Sequence, residues 1–131
     1  MIIIFDLDDT LYKEIDFVKG GMRAVSYFLE DHIIENSESI YSELIHILNT
    51  KGRGKIFDNY LKGKRKFKKY LVERCINEYR FHNPKIKLYE SAHKFLNANK
   101  FRSLYLVTDG NKNVQWSKIK ALDLERFFKK I

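Results

Sequence analysis

One cysteine, one proline and one tryptophan occur in these 131 residues, with only six glycines. With Cys75 alone no internal disulfide can form. That excludes the stapled architecture of small secreted domains and fits a reducing compartment. Cys75 falls in a helical pattern and reads as a small buried hydrophobe rather than a reactive thiol. No apolar run approaches the length of a membrane span. The N-terminal apolar stretch is too short for a secretory signal and meets acids at once. A cytoplasmic protein with no membrane partner is expected. Internal repeats, low-complexity segments and extended linkers are absent too. Acids are outnumbered, 17 Asp and Glu against 25 Lys and Arg, for a formal net charge of +8.

A positive excess of this size raises the question of a nucleic-acid partner. Much of it lies in Lys62-Gly63-Lys64-Arg65-Lys66-Phe67-Lys68-Lys69, preceded by Lys51-Gly52-Arg53-Gly54-Lys55. Phe67, Leu71 and Cys75 share one helical face, so the aromatic within the run reads as packing. No exposed stacking platform is evident. The run reads as a solvated basic face, and nucleic acid is not the expected partner. Ten Phe and eight Tyr argue against global disorder.

Against this background one segment stands apart. Ile2-Ile3-Ile4-Phe5 is a short apolar run, read as a strand buried on both faces of a parallel sheet. It ends in Asp6-Leu7-Asp8-Asp9-Thr10-Leu11-Tyr12, three carboxylates within four residues. Acids this close repel one another. Their chemical use is to hold a hard divalent cation through oxygen or to attack an electrophile. The carboxyl edge of an open α/β sheet is where such ligands bind.

The segment Asp6-Leu7-Asp8-Asp9-Thr10 resembles the first motif, DxDx(T/V), of the haloacid dehalogenase-like (HAD) hydrolases, most of which are Mg²⁺-dependent phosphatases. A second block supports the resemblance. Leu104-Tyr105-Leu106-Val107-Thr108-Asp109-Gly110 is another apolar strand ending in Thr. Gln115, Lys118, Leu122, Leu124 and Phe127-Phe128 follow in a pattern similar to the family's next helix. The two blocks lie about a hundred residues apart, as they do when a helical cap is inserted after the first motif. The resemblance implies an α/β fold, a partial Rossmann-like parallel core with an inserted helical cap. It assigns residues 1–12 and 83–131 to the core and 13–82 to the cap.

It also implies roles. Asp6 is the expected nucleophile, forming an aspartyl-phosphate, and Asp8 the general acid and base. The Asp8 role favours a raised pKa, toward which Asp6 and Asp9 push it. Mg²⁺ is expected on the Asp6 carboxylate and the Asp8 backbone carbonyl. Thr108 and the backbone N–H groups of Asp109 and Gly110 are expected to bind the phosphoryl group. Dehalogenation would use the same nucleophile without Mg²⁺, but Thr10 and the Asp8-Asp9 pair fit the phosphatase pattern better. A small phosphorylated metabolite is the expected substrate.

In the family, a third motif supplies a Lys and a fourth supplies metal-binding acids, both from strands beyond Phe127-Phe128. Neither is found before Ile131, and Lys118 does not sit where the pattern places the catalytic Lys. The sequence therefore reads as C-terminally truncated, with an incomplete phosphatase site. The alternative is a catalytically inactive HAD-like protein that binds a partner or phosphate. Self-association through the first strand, or pairing with a complementary C-terminal fragment, is expected on the same ground.

Between the two blocks the periodicity is helical. Val18, Met22, Val25, Leu29 and Ile33 predict a helix over about 15–34, weakened by Gly20-Gly21. Ser37 to about Thr50, Ile56 to Leu61 and Lys64 to Arg80 follow. Pro84 stops the last of these by restricting Asn83. Tyr89 to Asn99 and Val114 to Leu122 complete the helices. Arg80 and His82 are further residues that could reach a substrate phosphate or leaving group, although a hydrogen-bonded hinge is the preferred reading of that segment. His32, His46 and His93 lack the mutual spacing of a metal site.

Overall fold

The computed structural model describes all residues 1–131. In chain order the elements are β1 (Ile2–Phe5), α1 (Glu14–Glu30), α2 (Ser37–Lys51), α3 (Ile56–Gly63), α4 (Lys69–Arg80), α5 (Glu90–Ala98), β2 (Ser103–Leu106) and α6 (Lys112–Ala121). They form an α/β chain of two compact units. Residues 1–17 with 83–131 make one, and residues 18–82 the other.

In the first unit β1 and β2 pair in parallel, with Ile2 opposite Ser103 and Phe5 opposite Leu106. The Phe5 ring meets Phe95 of α5 edge-on at 5.7 Å and Phe128 at 6.0 Å. Leu104, Leu106 and Leu96 are buried. Along the other edge of β2, Lys129 N–H donates to the Leu104 carbonyl at 2.8 Å and Leu106 N–H to the Lys130 carbonyl at 3.1 Å. The last residues thus begin a third parallel strand. One expectation fails here. Ile2 and Ile4 are 67% and 65% exposed, so β1 is covered on one face and not on both. Its side chains alternate, and within residues 1–131 only the Phe5 face meets aromatic partners.

The second unit is helical. In α1, Val18, Met22, Val25 and Leu29 step by four, three and four, and all are buried, as one face of a helix requires. Its glycines are explained by close approach. A Cβ on Gly21 would stand 2.3 Å from the Tyr79 ring, and one on Gly20 would stand 3.1 Å from His82 Nε2. The Asn36 side chain accepts from Ser39 N–H at 2.9 Å and caps α2. The helix predicted from Lys64 begins only at Lys69. Arg65 has φ 55°, and Lys64 is drawn away to Glu35 and Glu43, so the chain turns there. Phe67 lies outside the helix and is exposed, with the Lys62 ammonium over its ring. Cys75 is buried, and burial pushes its thiol up to about 12, as an inert packing residue requires.

Candidate active site

The parallel register makes both strands end on the same edge. Asp6 follows Phe5 as Val107 follows Leu106, and Val107 N–H donates to the Phe5 carbonyl at 2.9 Å. Beyond β1 the chain alternates: Asp6 is exposed, Leu7 is buried, and Asp8 is partly covered. Leu7 in the core anchors the loop. Its carbonyl accepts from the N–H groups of Thr10 and Leu11, and Asp9 takes a left-handed conformation, φ 57°. This tight turn is what the run of acids has to accommodate.

The three carboxylates have separate environments. Asp6 accepts from Leu7 N–H at 2.9 Å and faces solvent. Asp9 accepts from Glu14 N–H at 3.0 Å, so it caps the start of α1. Asp8 is held by three side chains. Tyr12 Oη donates to Oδ1 at 2.6 Å, Lys118 Nζ to the same oxygen at 2.9 Å, and Gln115 Nε2 to Oδ2 at 3.0 Å. Burial works to raise the Asp8 pKa. The hydrogen bonds from Tyr12, Lys118 and Gln115, with the charge of Lys118, outweigh it and hold the carboxyl below its ordinary value. The expected upward shift is therefore reversed, because three donors, one of them a cation, face Asp8 and outweigh its acidic neighbours. Tyr12 is pushed the other way, its phenol raised by burial and by its bond to Asp8.

The second strand contributes Thr108. Gln115 Nε2 donates to Thr108 Oγ1 at 2.7 Å as well as to Asp8, so one amide ties the two loops together. The Thr108 hydroxyl accepts this bond and keeps its own hydrogen to donate. Asp109 and Gly110 continue the loop, with Gly110 at φ 122°. The Gly110 N–H donates to the Asp109 carboxylate at 2.8 Å. A cavity of about 330 Å³ opens beside this turn, lined by Leu106, Val107, Thr108, Gly110, Gln115 and Trp116 among others.

The sequence pattern assigns no role to Tyr12 or Gln115 and leaves Lys118 outside the site. The readable signal was their spacing. Gln115 and Lys118 are three apart and share a helix face. They are polar yet buried, among the apolar Val114 and Ile119. Asn111 starts that helix by accepting from Val114 N–H. Of the other candidates, His82 Nδ1–H donates to the Tyr79 carbonyl at 2.6 Å. His32 and His93 bond within their own helical segments, to Phe28 and Asn97.

No cluster of three or more His, Cys, Asp or Glu is arranged to hold a metal. Mg²⁺ does not require one, since it binds through one or two carboxylates together with waters and substrate phosphate. The open Asp6 carboxylate fits that donor set. The Asp8 side chain does not, because both of its oxygens are already hydrogen-bonded.

A family model for haloacid dehalogenase-like hydrolases matches residues 3–131. The glyceraldehyde 3-phosphate phosphatase of Methanocaldococcus jannaschii is 34% identical, over 96% of this chain and 58% of its own length. A haloacid dehalogenase-like family hydrolase from Xanthomonas campestris superposes with TM-score 0.57 at 17% identity, over 100% of this chain and 60% of its own. YfnB of Bacillus subtilis, in a crystal form bound to magnesium, gives 0.56 at 20% identity, over 99% and 63%. The chain thus spans about three-fifths of the length of these relatives. No helix is long and apolar enough to cross a membrane.

Proposed function

The chain belongs to the haloacid dehalogenase-like hydrolases, and from that premise we propose that it is a Mg²⁺-dependent phosphohydrolase of a small phosphorylated metabolite, working through an aspartyl-phosphate on Asp6. The observation that carries the reading is the shared edge of β1 and β2. That edge carries an open carboxylate on Asp6, a tethered carboxylate on Asp8, and Thr108, which Gln115 links to Asp8 and whose hydroxyl keeps its hydrogen to donate.

The steps follow from those groups. Asp6 presents an exposed carboxylate, which can attack phosphorus and divide the displacement in two. Thr108 and the turn at Asp109-Gly110 bind the equatorial oxygens, where phosphoryl transfer depends on positioning and electrostatics. Asp8, which its bonds favour as the carboxylate, is the base for the water that releases phosphate from Asp6, and the proton it takes there is the one it returns to a departing ester oxygen. Mg²⁺ on the Asp6 carboxylate and the Asp8 carbonyl would neutralise phosphate charge.

The helical unit of residues 18–82 is read as the cap, with residues 1–12 and 83–131 as core. A cavity of about 400 Å³ within the helical unit is lined by Arg53, Lys55 and Arg80 against the one carboxylate of Asp58, with Phe57 and Tyr79 among its apolar residues, a lining that favours an organic anion. The lone buried thiol supports a cytoplasmic setting. Self-association, or pairing with a complementary fragment, gains nothing from the comparisons and stays outside the proposal.

The test is release of phosphate from 4-nitrophenyl phosphate by this polypeptide with Mg²⁺. Slow turnover, as two motifs alone allow, that ends on chelation and in D6N is expected. Activity retained by D6N would rule the nucleophile out. An HAD-like protein that binds phosphate without turnover would instead take up inorganic phosphate and leave the ester intact.

A further inference from the structure

The proposed reaction gives Gln115 no part, yet its side chain joins the two loops. Gln115 is 6% exposed, and a buried amide is costly unless its hydrogens find acceptors. A single nitrogen satisfies both of them. Nε2 donates to Thr108 Oγ1 at 2.7 Å and to Asp8 Oδ2 at 3.0 Å. An amide nitrogen carries two hydrogens, so this one is fully committed. Its orientation is fixed as well. The amide oxygen turned to the same place would set an acceptor against Asp8, whose other oxygen takes the Lys118 ammonium and the Tyr12 phenol. The stem of the side chain passes under the turn, its Cγ 3.7 Å from where a Cβ on Gly110 would stand.

We infer that Gln115 is a positioning residue for anion binding by Thr108: its N–H occupies a lone pair of the hydroxyl oxygen, so that the hydroxyl hydrogen is turned outward to a phosphoryl oxygen. The inference rests on the reading of this edge as a phosphate site and deepens it. A threonine hydroxyl is one donor and two acceptor positions on a rotor. Left to turn, it gives its hydrogen to a strong acceptor within reach, and Thr108 Oγ1 and Asp8 Oδ2 both lie within 3.0 Å of one nitrogen. A hydroxyl turned to Asp8 would present lone pairs to an incoming phosphate. Gln115 sets its own two hydrogens between those oxygens and removes that choice in advance. A donor aimed beforehand needs no reorganisation when the anion arrives. Gln115 touches no substrate atom and acts through Thr108.

A double-variant cycle separates this role from a merely structural one. Binding of inorganic phosphate with Mg²⁺ is measured by calorimetry at one ionic strength for wild type, Q115M, T108V and the double variant, with thermal melts to establish folding. A hydrogen bond to a charged group is worth about tenfold or more in affinity, and T108V is expected to lose about that much. Q115M should lose at least about threefold, a part of the same bond. The double variant should lie within about twofold of T108V, because without the hydroxyl the amide has nothing to orient. T108S keeps a hydroxyl and should restore the sensitivity to Q115M. Should Q115M not fold, Q115L takes its place in the cycle. Unchanged affinity in Q115M, or losses that multiply in the double variant, overturn the inference and leave the phosphatase standing. Wild type that takes up no phosphate overturns the inference too. Release of phosphate from 4-nitrophenyl phosphate is read alongside, and its absence with the binding cycle intact overturns the phosphatase alone.

Discussion

Asp8 accepts from Tyr12, Gln115 and Lys118 together, whereas Asp6, two residues earlier, is bonded by its neighbour's N–H and faces solvent. The two acids are told apart by environment, and the exposed one is the proposed nucleophile. At this scale His82 gives a pH prediction. Burial lowers its pKa below the ordinary 6.5, against its hydrogen bond to the Tyr79 carbonyl, which raises it. Between the folded value and about 6.5 the unfolded chain binds the proton more readily. The His82 contribution is therefore complete above about 6.5 and is lost as pH falls through the folded value. Melting temperature should drop on acidification below about pH 6.5, and H82Q should flatten that part of the curve. Identical slopes in the two proteins would contradict the assignment.

Among elements, the contact of α1 with α4 is the most exacting. Gly21 meets the Tyr79 ring so closely that a Cβ would lie 2.3 Å away. G21A should raise intrinsic helix propensity yet destabilise the protein by about 1–3 kcal/mol, the usual cost of overpacking. Denaturant unfolding measures it, and a stabilised G21A would mean that Tyr79 moves aside freely. The pair Gly20-Gly21 was visible in the sequence as a weak point of a helix, but its cause lies in residues nearly sixty positions on. The same limit applies to the site. Asp6, Asp8 and Thr108 were legible because each follows an apolar strand. Gln115 and Lys118 reach Asp8 across 107 and 110 residues, and no local pattern reports such a meeting. The predicted start of α4, at Lys64, differs from the observed start at Lys69 for another reason. Phe67 extends the apolar spacing backward from Leu71 and Cys75, yet five of the six residues from Lys64 to Lys69 are basic. That crowding, with the left-handed turn at Arg65, keeps the segment out of the helix.

At the scale of the whole molecule, two strands with an incipient third bring carboxylates and a hydroxyl to one edge, and a separate helical unit is inserted between the strands. The positive charge is distributed and partly internal: Lys64 is tied to Glu35 and Glu43, and Lys118 to Asp8. The net charge of +8 thus overstates what is offered to an anionic partner, and the proposed substrate remains a small phosphate ester. Covalent capture of the phosphorylated nucleophile tests the central claim most directly. The protein is mixed with Mg²⁺ and a phosphate ester, quenched, and treated with borohydride, which reduces an acyl phosphate to the alcohol. Peptide mass spectrometry then locates the product. The account predicts homoserine at position 6 in the wild type, dependent on substrate and absent from D6N. Reduction at a different acid, or none during active turnover, would contradict it.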